Sequence, residues 1–135
     1  MRFIVLVKAT RDSEKGVMPP EQMFAEMAAY HEDLAKAGML RDASGLKPSS
    51  TGWRIKYSGG KRTVIDGPFA ETKELVAGFT IIEAKSRQEA LEWTKRFPNP
   101  ALGDGEIEVR EFYELDDFGD NPALDRFRKL EEERK

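Results

Sequence analysis

Two side chains in this sequence are the strongest candidates for chemistry. The first is His31, the single histidine, in the stretch YHEDLAKAGML. Imidazole is the side chain that exchanges protons nearest neutral pH, so it is the natural general acid or base. The second is Asp66, which ends an apolar run and opens the corner Asp66-Gly67-Pro68. Proline has a fixed φ and biases the residue before it toward extended geometry, which makes the corner stiff. A carboxylate held there is well placed to orient an imidazole and to stabilise its charged form. It is equally suited to building the turn, by accepting backbone N–H bonds. A His31–Asp66 pair with no cofactor fits proton abstraction, isomerisation or elimination on a small organic molecule.

The passage VIDGPFAETKEL, residues 64–75, contains that corner and then runs polar before the chain turns apolar again. Its joint from Asp66 to Glu74 is nine residues, whereas hairpin loops usually need about two to five. Long ordered loops in small domains often carry binding sites. The length is explained if the loop walls a pocket, which makes Gly67, Pro68 and Phe69 candidate substrate-binding residues. Phe69 is also the kind of lone aromatic that anchors a polar loop into a core. Trp53, on a neighbouring strand, is a further candidate for the pocket or for a dimer seam. AETKEL has the composition of one helical turn.

Other chemistries are excluded by what is missing. The chain has no cysteine, which removes disulfides, thiolate nucleophiles and thiolate metal sites together. One histidine without cysteines is too little for a zinc or iron site. Asp116, Asp117 and Asp120 do not have calcium-loop spacing. Neither a Gly-rich phosphate loop nor a G-x-S-x-G nucleophile elbow occurs. No metal and no cofactor are therefore expected. The net charge of −3 gives no general attraction to nucleic acid or an anionic membrane, and no basic recognition helix is visible. The apolar run Phe3 to Val7 is too short for a signal or a membrane span, so a cytoplasmic protein is expected.

These residues need elements to position them. RFIVLVKA, residues 2–9, reads as a strand buried on both faces and central in its sheet. A polar loop follows over 10–18. Pro19 and Pro20 can open a helix that Gly38 ends, with Met23, Met27, Leu34 and Ala35 on one stripe. His31 falls at the edge of that stripe, either as a satisfied core side chain or facing a pocket between helix and sheet. GWRIKY (52–57) and KRTVI (61–65) flank Ser58-Gly59-Gly60 as a hairpin. Residues 42–48 are a further strand candidate. LVAGFTIIEA (75–84) is a second buried strand. Ser86 and Glu89 form a capping-box pair for a helix to about Phe97, and EIEVREFYE (106–114) reads as a half-wet strand. Asn121-Pro122 caps a charged tail helix with a narrow Leu124, Phe127, Leu130 stripe, suited to docking on its own domain or on its twin, the alternative being a frayed or disordered end. At this length one domain is expected, over residues 1–115, with 116–135 as a helical extension.

The order of elements predicts an α+β fold: a ferredoxin-like split β-α-β with an extra hairpin, its helices on one face of an antiparallel sheet. The other face needs cover, and a second copy supplies it, so a homodimer is expected.

The string DGPFAETKE, residues 66–74, resembles the signature of the DGPF group within the YCII-related family. GFTIIEAKSRQEALEWTKRFP and the YHEDLAKAGML around His31 are similar to the same family. The resemblance implies a dimeric α+β barrel and a pocket with a histidine–aspartate dyad, here His31 and Asp66. It also implies kinship with enzymes of small cyclic compounds, among them a dehydrochlorinase of chlorinated hydroxyquinones and muconolactone isomerases. Other relatives are encoded beside extracytoplasmic-function sigma factors. That association implies an alternative: a non-catalytic ligand-binding or regulatory module whose tail reports to a partner.

Overall fold

A computed structural model describes residues 1–134. The elements are β1 (Arg2–Lys8), α1 (Arg11–Glu14), α2 (Glu21–Lys36), β2 (Leu40–Gly45), β3 (Trp53–Ser58), β4 (Lys61–Asp66), β5 (Val76–Glu83), α3 (Arg87–Lys95), β6 (Ile107–Glu111) and α4 (Pro122–Glu133). Four strands form an antiparallel sheet in the order β2-β5-β1-β6, while β3 and β4 pair only with each other. The protein is therefore mixed α+β with antiparallel sheets.

The expected central strand is central: β1 lies between β5 and β6. Its burial differs from the expectation, because Phe3 and Val5 are buried while Ile4 and Leu6 between them are half-buried. A continuous apolar run does not reveal that its two faces have different cover. By register Phe3 sits opposite Ile82 and Val5 opposite Thr80, so these four share one face. Tyr30 and Leu34 of α2, Ala90 of α3 and Phe97 join Phe3, Val5 and Ile82 in one core cluster. Both helices therefore pack on the same side of the sheet. Leu34, Ile82 and Val5 are each about 1% exposed, and burying each contributes about 1.5–3 kcal/mol.

Helix α2 buries a slightly different stripe from the one its sequence suggests. Tyr30 and Leu34 are its buried residues, Met23 and Met27 are half-buried, and Ala35 is exposed. Spacing alone places Ala35 near the stripe, but the larger Tyr30 fills the contact with α3, its hydroxyl donating to Trp93 O at 2.6 Å. The loop expected over 10–18 contains the short helix α1. Thr10 and Ser13 cap it reciprocally, each accepting from the other's backbone N–H. At α3, Ser86 accepts from Glu89 N as expected, but the Glu89 carboxylate accepts from Lys85 N one residue farther out.

The β3–β4 hairpin closes through Gly59 and Gly60 at φ +57° and +76°, the left-handed pair that a two-residue hairpin turn requires. Every residue of both strands is exposed. Trp53, Ile55, Tyr57 and Val64 share one face by register, and all four are largely open to solvent. In α4, Leu124 is buried while Phe127 and Leu130 are 55% and 54% exposed, so only the first residue of the expected stripe docks on this chain. Arg128 ties α4 to the preceding turn through Asp116 at 3.0 Å, which gives that aspartate a structural partner. Among the described residues no helix is long and apolar enough to cross a membrane.

Candidate functional site

A cavity of about 700 Å³ opens on the helix-bearing side of the sheet. Its floor is made by Val7, Ala43, Gly45, Gly78 and Thr80, residues that pair across β1, β5 and β2 on one face. Three of them are alanine or glycine, and the missing side-chain volume leaves the hollow. Met23, Phe24 and Met27 of α2 form one wall, with Met18 just before that helix. Leu46, Lys47 and Pro48 form another, and Phe97 lies toward α3.

His31 lines this cavity, half-buried, from the inner edge of α2. Its Nδ1 lies 2.7 Å from the Met27 carbonyl oxygen one turn earlier, and its Nε2 lies 2.7 Å from Thr80 Oγ1. A carbonyl only accepts, so Nδ1–H is the donor there. In the neutral ring Nε2 is then the unprotonated nitrogen, and the Thr80 hydroxyl donates to it. Tyr30 and Phe97 meet the ring edge-on, with centroids 5.7 and 5.9 Å away. Two hydrogen bonds and two aromatic edges fix both the orientation and the tautomer of this imidazole.

Asp66 does not supply that orientation within one chain. It is exposed, lies off the cavity wall, and accepts no hydrogen bond among the described residues. The turn-building role expected of its carboxylate is performed by neighbours. Gly67 N–H donates to Gly52 O at 3.0 Å, and Phe69 N–H donates to Ser49 Oγ at 3.1 Å. The Gly67–Pro68 peptide is cis. Phe69 does not enter the core: it is half-buried, with the Arg54 guanidinium 3.8 Å over its ring. Gly67, Pro68, Phe69 and Trp53 all stand off the cavity lining. The corner still reaches the cavity indirectly. Ser49 receives Phe69, is gripped through its N–H and hydroxyl by the Glu14 carboxylate, and follows Pro48 of the wall. Residues 72–74 form the single helical turn expected after the corner.

Thr80 is the site residue that sequence reasoning missed. It is the one hydroxyl in the apolar strand Val76–Glu83 and is 2% exposed. A buried hydroxyl needs a partner, so a lone threonine in a central strand was a usable signal. Because the chain has one histidine, its nitrogen resonances report this contact directly. Thr80→Val removes the donor to Nε2 and is expected to shift the Nε2 signal markedly while Nδ1 stays protonated. Asp66→Asn is expected to leave both nitrogens of the ligand-free protein unchanged. A long-range proton–nitrogen NMR spectrum of the two variants decides the matter, and the reverse pattern would return the orienting role to Asp66.

Tyr30, beside the imidazole, has its phenol pushed up to about 12 by burial, the Arg96 guanidinium pulling the other way. The fold thus favours the protonated phenol, which is the form that donates to Trp93 O. Its stabilisation is complete below the ordinary phenol value of 10.0 and is lost as pH rises toward about 12. Tyr30→Phe is expected to flatten the alkaline fall in stability across that window, measured by chemical denaturation at a series of pH values. An equally steep fall in the variant would assign it to other groups.

No group of three or more metal-ligating side chains occurs among the described residues. Among solved structures, the chain resembles a 5-chloro-2-hydroxyhydroquinone dehydrochlorinase from Burkholderia phenoliruptrix AC1100, in complex with 2,5-dihydroxybenzoquinone. That likeness has 18% identity and a TM-score of 0.43 over 84% of this chain and 94% of the other. An uncharacterized protein of Rhizobium meliloti strain 1021 is 34% identical over 90 residues, spanning 67% of this chain and 73% of its own length. The YCII-related domain matches residues 1–116, and with that match the chain belongs to the YCII-related family.

Proposed function

We propose that this protein is a small, cofactor-independent enzyme in which His31 exchanges a proton with a compact organic substrate, in an isomerase- or lyase-type reaction. The observation that carries the reading is the fixed tautomer. With Nδ1–H committed to Met27 O, the proton-accepting nitrogen of the neutral ring is Nε2, at the cavity floor beside Thr80. An acid–base group held in one orientation beside an apolar hollow is what proton transfer to or from carbon requires. Thr80 gives up its bond to Nε2 when the nitrogen takes a substrate proton.

Asp66 keeps a role in this proposal at the corner. Its carboxylate approaches the imidazole when a ligand draws the corner inward through Ser49, and Gly67, Pro68, Phe69 and Trp53 then form the outer rim. The string DGPFAETKE supports placing the chain in the DGPF group. The strand order β2-β5-β1-β6, with α2 and α3 in the two crossovers, supports the ferredoxin-like reading. The open faces of Trp53, Ile55, Tyr57 and Val64 support a homodimer, since an isolated two-stranded hairpin is marginal in water. A cytoplasmic location fits the absence of cysteine.

The test is a screen of small lactones, cyclic ketones and hydroxylated ring compounds in deuterated water. Substrate loss or deuterium uptake at carbon should be seen with the wild type and lost in the His31 variants considered in the Discussion. A second reading rests on the exposed Phe127 and Leu130 of α4: a non-catalytic module whose 116–135 extension reports ligand binding to a partner, in relation to a sigma-factor system. Co-purification of a partner that requires residues 116–135, with no turnover of any compound, would favour it.

A further inference from the structure

The charge on the cavity wall is one-sided. The chain has more acidic than basic residues, 25 against 22, yet among the described residues no aspartate or glutamate lines the cavity. Apart from the imidazole, Lys47 is its one ionisable lining residue among the described residues. Lys47 makes no ion pair within 4.0 Å among the described residues. Its backbone is anchored, because Leu46 N–H donates to Ala77 O at 2.8 Å and holds the segment against the start of β5. The Glu14 carboxylate, which reaches the same segment, is occupied by Ser49.

Of the three other polar lining residues, Ser44 alternates with Ala43 and Gly45 and so faces the other side of the sheet, and the remaining two side chains are occupied. Ser13 is bonded to Thr10, and Asn99 holds its own loop through Gly103 O and Ala101 N. What remains toward the hollow is an apolar surface rich in methionine and phenylalanine, the His31–Thr80 pair at the floor, and one cation on the wall. Thioether side chains adapt to flat rings of differing shape, and about 300–1,000 Å³ is the usual size for a small-molecule pocket.

We propose that the cavity takes an apolar, ring-sized organic anion, a carboxylate or phenolate, with its charged end at Lys47 and its reactive part at His31. This rests on the cavity being the functional site, and it adds the charge and class of the ligand. Lys47 is the group that selects: an anion gains its attraction, whereas a neutral isostere of the same rings gains only the apolar contact.

The probes are naphthoate and its neutral amide, naphthamide, titrated against the full chain at low salt. The protein is labelled at its methionine methyls, because Met18, Met23 and Met27 line the cavity while Met1 and Met39 do not. Naphthoate is expected to bind more tightly than naphthamide and to shift the three cavity methyls. Lys47→Gln should weaken naphthoate by up to about fivefold, the most that an exposed ion pair contributes, and leave naphthamide unchanged. Equal affinity for the two probes, an unchanged naphthoate affinity in Lys47→Gln, shifts confined to Met1 and Met39, or no saturable binding would each overturn the proposal. The enzyme reading fails separately. Charge-selective binding without His31-dependent turnover would sink catalysis and leave the anion site. Turnover that prefers neutral substrates and ignores Lys47→Gln would do the opposite.

Discussion

Replacing His31 with alanine is expected to lower the turnover of any substrate the wild type consumes by about 10²–10⁴-fold, the usual contribution of a positioned acid–base group. The loss should fall on kcat, because the imidazole is a small part of a mostly apolar cavity wall and acts at the proton-transfer step. Alanine also strands the buried Thr80 hydroxyl, which loses its acceptor, at a cost of about 1–3 kcal/mol. His31→Gln separates the two effects. A glutamine amide oxygen can accept from Thr80, but the amide does not exchange protons at neutral pH. Its turnover should fall as far as that of alanine, with less loss of stability. Wild-type turnover in either folded variant would eliminate His31 as the acid–base group.

Gly67→Ala is expected to be among the most damaging single changes outside the core. A Cβ built on Gly67 would lie 1.9 Å from Ser49 O and 2.7 Å from Ser49 C. Both are backbone atoms, so no rotamer change relieves the clash, and the corner must lift off the Ser49–Thr51 turn. Lifting it endangers the Gly67–Gly52 and Phe69–Ser49 hydrogen bonds. Overpacking of this kind costs about 1–3 kcal/mol or more, and a melting temperature lower by roughly 5–10 °C is expected for a domain of this size. Gly103→Ala is the control, since its Cβ would meet nothing within 4 Å and its φ is not positive. Equal melting temperatures for the two variants would show that the corner yields without penalty. Because Ser49 adjoins Pro48 of the cavity wall, Gly67→Ala should also weaken naphthoate binding, which Gly103→Ala should not.

The fold was more legible in the sequence than the site. Periodicity and punctuation are local, and they located β1, β5, the Gly59-Gly60 turn, α2 up to Gly38 and the Ser86 cap. They failed where neighbours in space decide. The alternation of buried and half-buried residues along β1, the substitution of Tyr30 for Ala35 in the α2 contact, and the Thr10–Ser13 cap each depend on partners that spacing does not reveal. At the site, the reason is the same. His31 was identified by residue type, and its place at the edge of a helical stripe was correct. What orients it is a carbonyl one turn away, which every helix possesses, and a threonine on a strand that the sequence places far off. The aspartate was conspicuous because its corner is conspicuous. A stiff corner shows where the chain turns, not which side chain it will meet.

The position of β1 in the sheet has a consequence for biosynthesis. Its two neighbours, β5 and β6, come much later in the chain, at Val76–Glu83 and Ile107–Glu111. At about 5–20 residues per second on the ribosome, the segment Phe3–Val7 waits on the order of ten seconds before both its edges are occupied. Over that interval the apolar strand β1 of the nascent protein has neither of its sheet neighbours to pair with, while the β3–β4 ribbon has both its strands from adjacent residues. The demand for chaperoning should therefore be greatest early in translation and should end when residues 107–111 leave the exit tunnel.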